Sequence, residues 1–108
     1  MKLDSKTINE VGSRAALAAS GPARVLVFGS YARDDAQDDS DLDLLVIEPG
    51  FSDKASEYMK IRSAIGRLGV GVDLLLFSEE EFARRSQVPG TVPYWAAREG
   101  KVIHDRRA

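Results

Sequence analysis

Hydrophobic residues in this chain fall into two patterns: stripes with helical spacing and continuous runs of strand length. One stripe predicts a helix from Ser5 to about Ala19, which Gly21-Pro22 ends, and a second predicts a helix from Ser52 to about Leu68. The inward residues of these two helices are expected to be Ile8, Val11, Ala15 and Ala18, then Ala55, Tyr58, Ile61, Ile65 and Leu68. Continuous apolar runs indicate strands covered on both faces, here Val25–Phe28, Asp41–Glu48 and Val72–Phe77.

Shorter elements complete the pattern. Ser30 is placed to cap a short helix over Tyr31–Ala36, and Ser78 with Glu81 forms a capping box for a helix that ends near Arg85. A last short helix over Tyr94–Glu99 precedes an edge strand over Lys101–His104. Because strands alternate with helices, the sequence predicts an α/β (α+β) fold, a small mixed β-sheet with helices packed on it.

Composition narrows the class of protein. The chain has 108 residues, the length of a single domain, which we take as residues 1–108. It has no cysteine, which excludes disulfides, cysteine zinc sites and thiol nucleophiles. The net charge of -2 argues against direct nucleic-acid binding through bulk electrostatics. With no apolar run of about 18 residues and no signal peptide, we expect a cytoplasmic protein without a membrane partner.

Acidic residues stand at the start of two predicted strands. Asp41 and Asp43 are two residues apart, so both point to one face of their strand, where their charges repel. A divalent cation would compensate this repulsion, and the plainer alternative is a strand end emerging into water. Asp73 interrupts a third apolar strand, where an isolated carboxylate would be costly. Its alternative role is a capped residue at a strand end.

Gly29-Ser30 follows the first strand and offers a second candidate element. Glycine permits close backbone approach, and free N–H groups at a turn bind anions. Arg33 lies one turn further on, where it could reach a triphosphate or remain a solvated surface residue. If the Gly-Ser turn serves one site with Asp41 and Asp43, strands one and two must be antiparallel. For Asp73 to join them, strand three must run parallel to strand two.

The chain carries Gly29-Ser30, then ten residues, then Asp41-Leu42-Asp43 before an apolar run, with Asp73 on a later strand. This combination resembles the nucleotidyltransferase superfamily. Its fold is shared with the palm of DNA polymerase beta and with kanamycin nucleotidyltransferase. The segment GSYARDDAQDDSDLDLLV is similar to the minimal nucleotidyltransferases, small prokaryotic proteins often encoded beside a HEPN-domain protein. One departure is Asp34-Asp35 after Arg33, where many relatives carry glycine.

The resemblance implies Mg²⁺-dependent transfer of AMP from ATP to an acceptor hydroxyl, with two Mg²⁺ ions during turnover. By position, Gly29 and Ser30 would hold phosphates, with Arg33 nearby. Asp41, Asp43 and Asp73 would be catalytic metal ligands, Asp73 also serving as a base. The implied partner is a HEPN toxin, neutralised by adenylylation of a tyrosine. Alternatives are an antitoxin that acts by occlusion without catalysis, and transfer to a small molecule or an RNA end.

The remaining candidates are weaker. The chain is too short for a second core, so a partner or a second copy, giving a homodimer, would have to complete the site. Trp95 with Tyr94, Val88 and Val92 is expected to pack under the final helix, or, if exposed, to form a docking patch. His104, the only histidine, is expected to be a surface residue. The aspartates between Asp34 and Asp39 are most simply a solvated loop.

Overall fold

The computed structural model describes residues 2–105, and its helices and strands follow the predicted order except for the short helix predicted over Tyr31–Ala36. In chain order its elements are α1 (Ser5–Ala18), β1 (Arg24–Phe28), β2 (Leu42–Glu48), α2 (Lys54–Ile65), β3 (Val72–Ser78), α3 (Glu79–Arg85), α4 (Val92–Glu99) and β4 (Lys101–Asp105). The mixed α/β architecture is therefore confirmed. In this described part of the chain, no helix combines the length and apolar character that crossing a bilayer requires.

The strands form one mixed sheet in the order β3-β2-β1-β4. β1 is antiparallel to both β2 and β4, and β2 is parallel to β3. Both strand directions that the polar residues predicted are confirmed. As a result, the end of β1 and the starts of β2 and β3 meet at the same end of the sheet.

Each face of the sheet is covered by one pair of helices. Leu44 and Val46 of β2 belong to a core with Val11 and Ala15 of α1 and Ile61 of α2. The intervening residues of the same strand pack on the other face, where the second core consists of Leu45, Ile47, Leu26, Phe77, Phe82 and Ala96. Because side chains alternate along a strand, the continuous apolar run of β2 supplies both cores.

Polar side chains define where the helices begin. Asp4 accepts a hydrogen bond from Thr7 N at 2.8 Å and caps α1. Asp53 caps α2, which therefore begins two residues later than the predicted start at Ser52. Ser78 accepts from Glu81 N at 3.1 Å, which confirms it as the N-cap of α3. Each cap satisfies a backbone donor that the first helical turn leaves without a partner.

The predicted short helix over Tyr31–Ala36 is wrong. The chain makes only a 3₁₀ turn over Gly29–Tyr31, followed by hydrogen-bonded turns. Asp34 has a positive φ of 61°, a left-handed conformation that a continuing right-handed helix does not contain. The irregular acidic loop therefore begins directly after Arg33.

The predicted inner stripe of α2 is only partly correct. Ile61 and Ile65 are buried, but Ala55 is exposed, and Leu68 lies beyond the end of the helix. Glu57, a residue that the periodicity assigns to solvent, is buried instead. Its carboxylate has hydrogen-bond donors from the segment after α1, which a pattern of hydrophobic positions does not reveal.

Candidate active site

Three aspartates lie at one end of the sheet, as the strand directions require. Asp43 is the direct register partner of Asp73 across the parallel β2–β3 pair. Asp41 lies directly before β2, two residues from Asp43. Asp73 is exposed, so the expectation that it interrupts a buried strand is wrong: it is the second residue of β3, where the strand emerges from the core. Its relation to Asp43 comes from register rather than from burial.

Electrostatic repulsion is concentrated at Asp43. Burial raises the pKa of Asp43 to about 6, and a side-chain hydrogen bond with Asp73 and the negative charge of Asp73 act in the same direction. The charge of Asp41 adds to this rise, and the positive charge of Arg33 opposes it. Two carboxyl groups can share a hydrogen bond only when one carries a proton, and a bound cation would relieve their repulsion once both are ionised.

The Gly29-Ser30 turn lies against the same carboxylate. A Cβ added to Gly29 would stand 3.1 Å from Asp43 Cγ and closer still to Oδ2, and Gly29 has a φ of 72°. Glycine is therefore needed both for the backbone conformation and for the space that Asp43 occupies. Ser30 lies inside the 3₁₀ turn and does not cap an α-helix, so the N-terminus of a regular helix is not part of this site.

Arg33 is held by two acidic side chains at the edge of the site. Its Nε lies 3.3 Å from Asp35 Oδ2, and its Nη1 lies 3.6 Å from Glu99 Oε1. These exposed ion pairs are individually weak, so an anionic ligand could replace them. Arg33 is near enough to Asp43 to oppose the rise in its pKa, and it lies beyond the 3₁₀ turn that contains Ser30.

A cleft of about 460 Å³ opens beside Asp43 and Asp73. Sequence reasoning missed several residues of its wall: Phe28, Tyr58, Arg62, Leu75 and Val92. Arg62 donates a hydrogen bond from Nη1 to Val72 O at 2.8 Å and so ties α2 to the start of β3. The only sequence signal for Tyr58 and Arg62 is their spacing of four residues, which places both on one face of α2.

The carboxylates suit a divalent cation that is completed by substrate. Within residues 2–105, no three acidic or histidine side chains are already gathered as a full set of metal ligands. Mg²⁺ typically takes one or two protein carboxylates together with substrate phosphates and water. The adjacent Asp43 and Asp73, with Asp41 beside them, fit that kind of site, because their mutual repulsion is what a cation would relieve.

Other candidates lie outside the carboxylate cluster. Trp95 is 52% exposed, and Val88 and Val92 are also exposed, so the expectation that this group packs under α4 is wrong. Tyr94 meets the Trp95 ring edge-on at 5.2 Å between centroids. His104 lies on β4, at the sheet edge opposite β3.

Comparison with known proteins identifies the fold and the family of the chain. No curated protein matches the chain. A crystal structure of a Sulfolobus solfataricus protein assigned to the nucleotidyltransferases superposes with a TM-score of 0.63 at 24% identity, covering 94% of this chain and 80% of that one. A toxin–antitoxin crystal structure with AMP-PNP superposes with a TM-score of 0.63 at 18% identity, covering 95% and 74%. Residues 5–94 match the nucleotidyltransferase domain family, and they include the Gly-Ser turn and all three aspartates. The chain belongs to the nucleotidyltransferase domain family.

Proposed function

We propose that this protein is a Mg²⁺-dependent nucleotidyltransferase that transfers AMP from ATP to a hydroxyl of a partner protein, a tyrosine of a HEPN toxin. The observation that carries the proposal is the meeting of Gly29, Asp43 and Asp73 at one end of the sheet. This arrangement combines a close-approach turn for phosphates with a repulsive carboxylate pair. The similar toxin–antitoxin structure, which contains an adenine nucleotide, supports both the nucleotide and the kind of partner.

The roles of the residues follow from their positions. Backbone N–H groups at Gly29 and Ser30 would bind the outer phosphates, and Arg33 would exchange its exposed acidic partners for phosphate oxygens. Asp41, Asp43 and Asp73 would hold Mg²⁺, which screens the phosphates and stabilises the charge that develops on the leaving group. Arg62, on the wall of the cleft, adds a positive charge beside the substrate.

The chemical step is a displacement at the α-phosphorus. The acceptor oxygen forms the new bond to this phosphorus, and the bond to the oxygen that bridges the α- and β-phosphates breaks, which releases pyrophosphate. The proton of the acceptor hydroxyl passes to Asp73, whose exposed carboxylate faces the open cleft. Asp43 is more enclosed and is better placed to hold the cation than to meet the acceptor.

The test uses ATP labelled at the α-phosphate, with Mg²⁺ and host cell extract. Asp43→Asn and Asp73→Asn should abolish the label transferred, whereas Asp39→Asn, an exposed loop variant of equal charge change, should retain it. Label on a protein band that resists ribonuclease supports the proposal and identifies the partner by mass. Label on RNA or on a small molecule would contradict the protein acceptor.

Absence of any label that depends on Asp43 would overturn catalysis itself. The chain would then act by occlusion, and Asp43→Asn should still neutralise the partner. Growth of cells that carry the partner with wild-type protein or with Asp43→Asn separates these two outcomes.

A further inference from the structure

Gly71, directly before β3, lies against the carboxylate of Asp41. A Cβ added at Gly71 would stand 3.0 Å from Asp41 Cγ and closer still to Oδ1. The φ of Gly71 is not in the left-handed region, where Gly29, Gly66 and Gly69 lie. The backbone conformation does not by itself call for glycine here, but any side chain at this position would have to displace the Asp41 carboxylate.

The backbone around Gly71 is held on both sides. Gly71 O accepts a hydrogen bond from Leu42 N at 2.9 Å. The next carbonyl, Val72 O, accepts from Arg62 Nη1 at 2.8 Å, and Val72 pairs with Leu42 in the parallel register. A methyl group at Gly71 could not be accommodated by moving this strand without breaking those bonds. The side chain of Asp41 is exposed, so its carboxylate is the part that would move.

We propose that Gly71 is a positioning residue: its missing side chain lets the Asp41 carboxylate lie against the start of β3, beside Asp43 and Asp73, in the arrangement that binds a divalent cation. This inference deepens the proposed function and rests on it only for the role of the carboxylates as metal ligands. Gly29 bears the same steric relation to Asp43 from the other neighbouring strand. Each aspartate of the Asp-Leu-Asp segment thus has a glycine of an adjacent strand end beside it.

The experiment measures Mn²⁺ binding by the loss of the free-ion electron paramagnetic resonance signal, with Mn²⁺ as the probe for Mg²⁺. Gly71→Ala should raise the Mn²⁺ dissociation constant by about tenfold, the lower end of the effect found when groups that orient metal ligands are altered. Gly50→Ala is the matched control, because a Cβ there meets nothing within 4 Å and its φ is ordinary. It should bind Mn²⁺ as the wild type does.

A double-mutant cycle distinguishes action through Asp41 from a general structural effect. In an Asp41→Ala background, adding Gly71→Ala should leave the Mn²⁺ dissociation constant unchanged, because the carboxylate that the methyl displaces is gone. An equal tenfold loss in that background would overturn the proposal. So would unchanged Mn²⁺ affinity in Gly71→Ala, absence of Mn²⁺ binding to the wild type, or failure of Gly71→Ala to fold.

The two proposals fail separately. Mn²⁺ binding that follows the expected pattern without any nucleotidyl transfer would leave Gly71 as a positioning residue and remove the enzymatic function. Nucleotidyl transfer that depends on Asp43, together with an Mn²⁺ affinity that Gly71→Ala does not change, would support the enzymatic function and overturn the role of Gly71.

Discussion

Glu48 and Glu57 form a buried pair of carboxyl groups at the end of β2 opposite the aspartates, with relative exposures of 0% and 5%. Glu57 accepts hydrogen bonds from Ser20 N at 2.7 Å and Ser20 Oγ at 2.6 Å, and Lys60 Nζ lies 3.3 Å from its Oε1. Glu48 accepts from Gly21 N at 3.3 Å, and its buried Oε2 receives no hydrogen bond. A proton on Glu48 would allow it to donate to Glu57.

These contacts set opposite pKa shifts. Burial, then the hydrogen bond with Glu57 and its charge, raises the pKa of Glu48 to about 7 from an ordinary 4.5. Burial also acts to raise the pKa of Glu57, but hydrogen bonds from Glu48, Ser20 and Lys60 outweigh it and lower that pKa to about 2. Glu57 therefore remains ionised while Glu48 titrates.

The sign of the stability change follows from Glu48. The folded chain keeps a proton that the unfolded chain releases above pH 4.5, so this stabilisation is complete below pH 4.5 and is lost as the pH rises through about 7. At about 1.4 kcal/mol per pKa unit, the whole loss is about 3 kcal/mol, part of which has already occurred at pH 5. Glu48→Gln should remove it, because an amide can donate to Glu57 and accept from Gly21 without titrating.

Urea unfolding at about pH 5 and about pH 8.5 measures this difference. Between these values, the free energy of unfolding of the wild type should fall by about 2 kcal/mol more than that of Glu48→Gln. Glu10→Gln removes an exposed glutamate and should follow the wild-type pH dependence. Parallel pH profiles for wild type and Glu48→Gln would refute the shared proton.

Three further predictions concern the backbone and the surface. Asp34 has a φ of 61°, a conformation that costs a residue with a side chain about 1 kcal/mol. Asp34→Gly should therefore be more stable than Asp34→Ala by about that amount in urea unfolding, and equal stabilities would contradict the strain. Gly100→Ala should lower the free energy of unfolding by more than about 2 kcal/mol, because its Cβ would meet backbone atoms of Ala96 and Val27; thermal unfolding matching the wild type would contradict this. Trp95→Ala should change stability by less than about 1 kcal/mol, whereas Phe82→Ala should cost about 3 kcal/mol in urea unfolding; a comparable loss for both would show that Trp95 packs in a core.

Much of the architecture was predictable because it depends on local pattern. The apolar run of β2 and the capping residue Ser78 specify their elements with neighbours that are close in sequence. The strand directions were also predictable, because Gly29, Asp43 and Asp73 can serve one site only if β1 opposes β2 and β3 runs with it. The pairing of Asp43 with Asp73 agrees with that reasoning.

Features that depend on contacts between distant segments were missed. Glu57 is buried because the segment after α1 brings donors to its carboxylate, and Gly71 matters because Asp41 comes to rest against it. Trp95 has a large side chain of the kind that often packs in a core, yet its position on α4 leaves it exposed to solvent. No local pattern distinguishes these cases from their alternatives.

The sequence by itself determined the order of the four strands and the four α-helices, the two-sided burial of β2 and the set of candidate carboxylates, because periodicity and residue chemistry are local properties. Only the tertiary structure decided that Asp43 and Asp73 are register partners, that Arg62 lines the same cleft and that Gly71 makes room for Asp41. These are distances between segments far apart in the chain. They are fixed only when the sheet forms, because the pairing register decides which residues lie opposite each other, and a shift of one residue would turn every side chain of a strand to the other face.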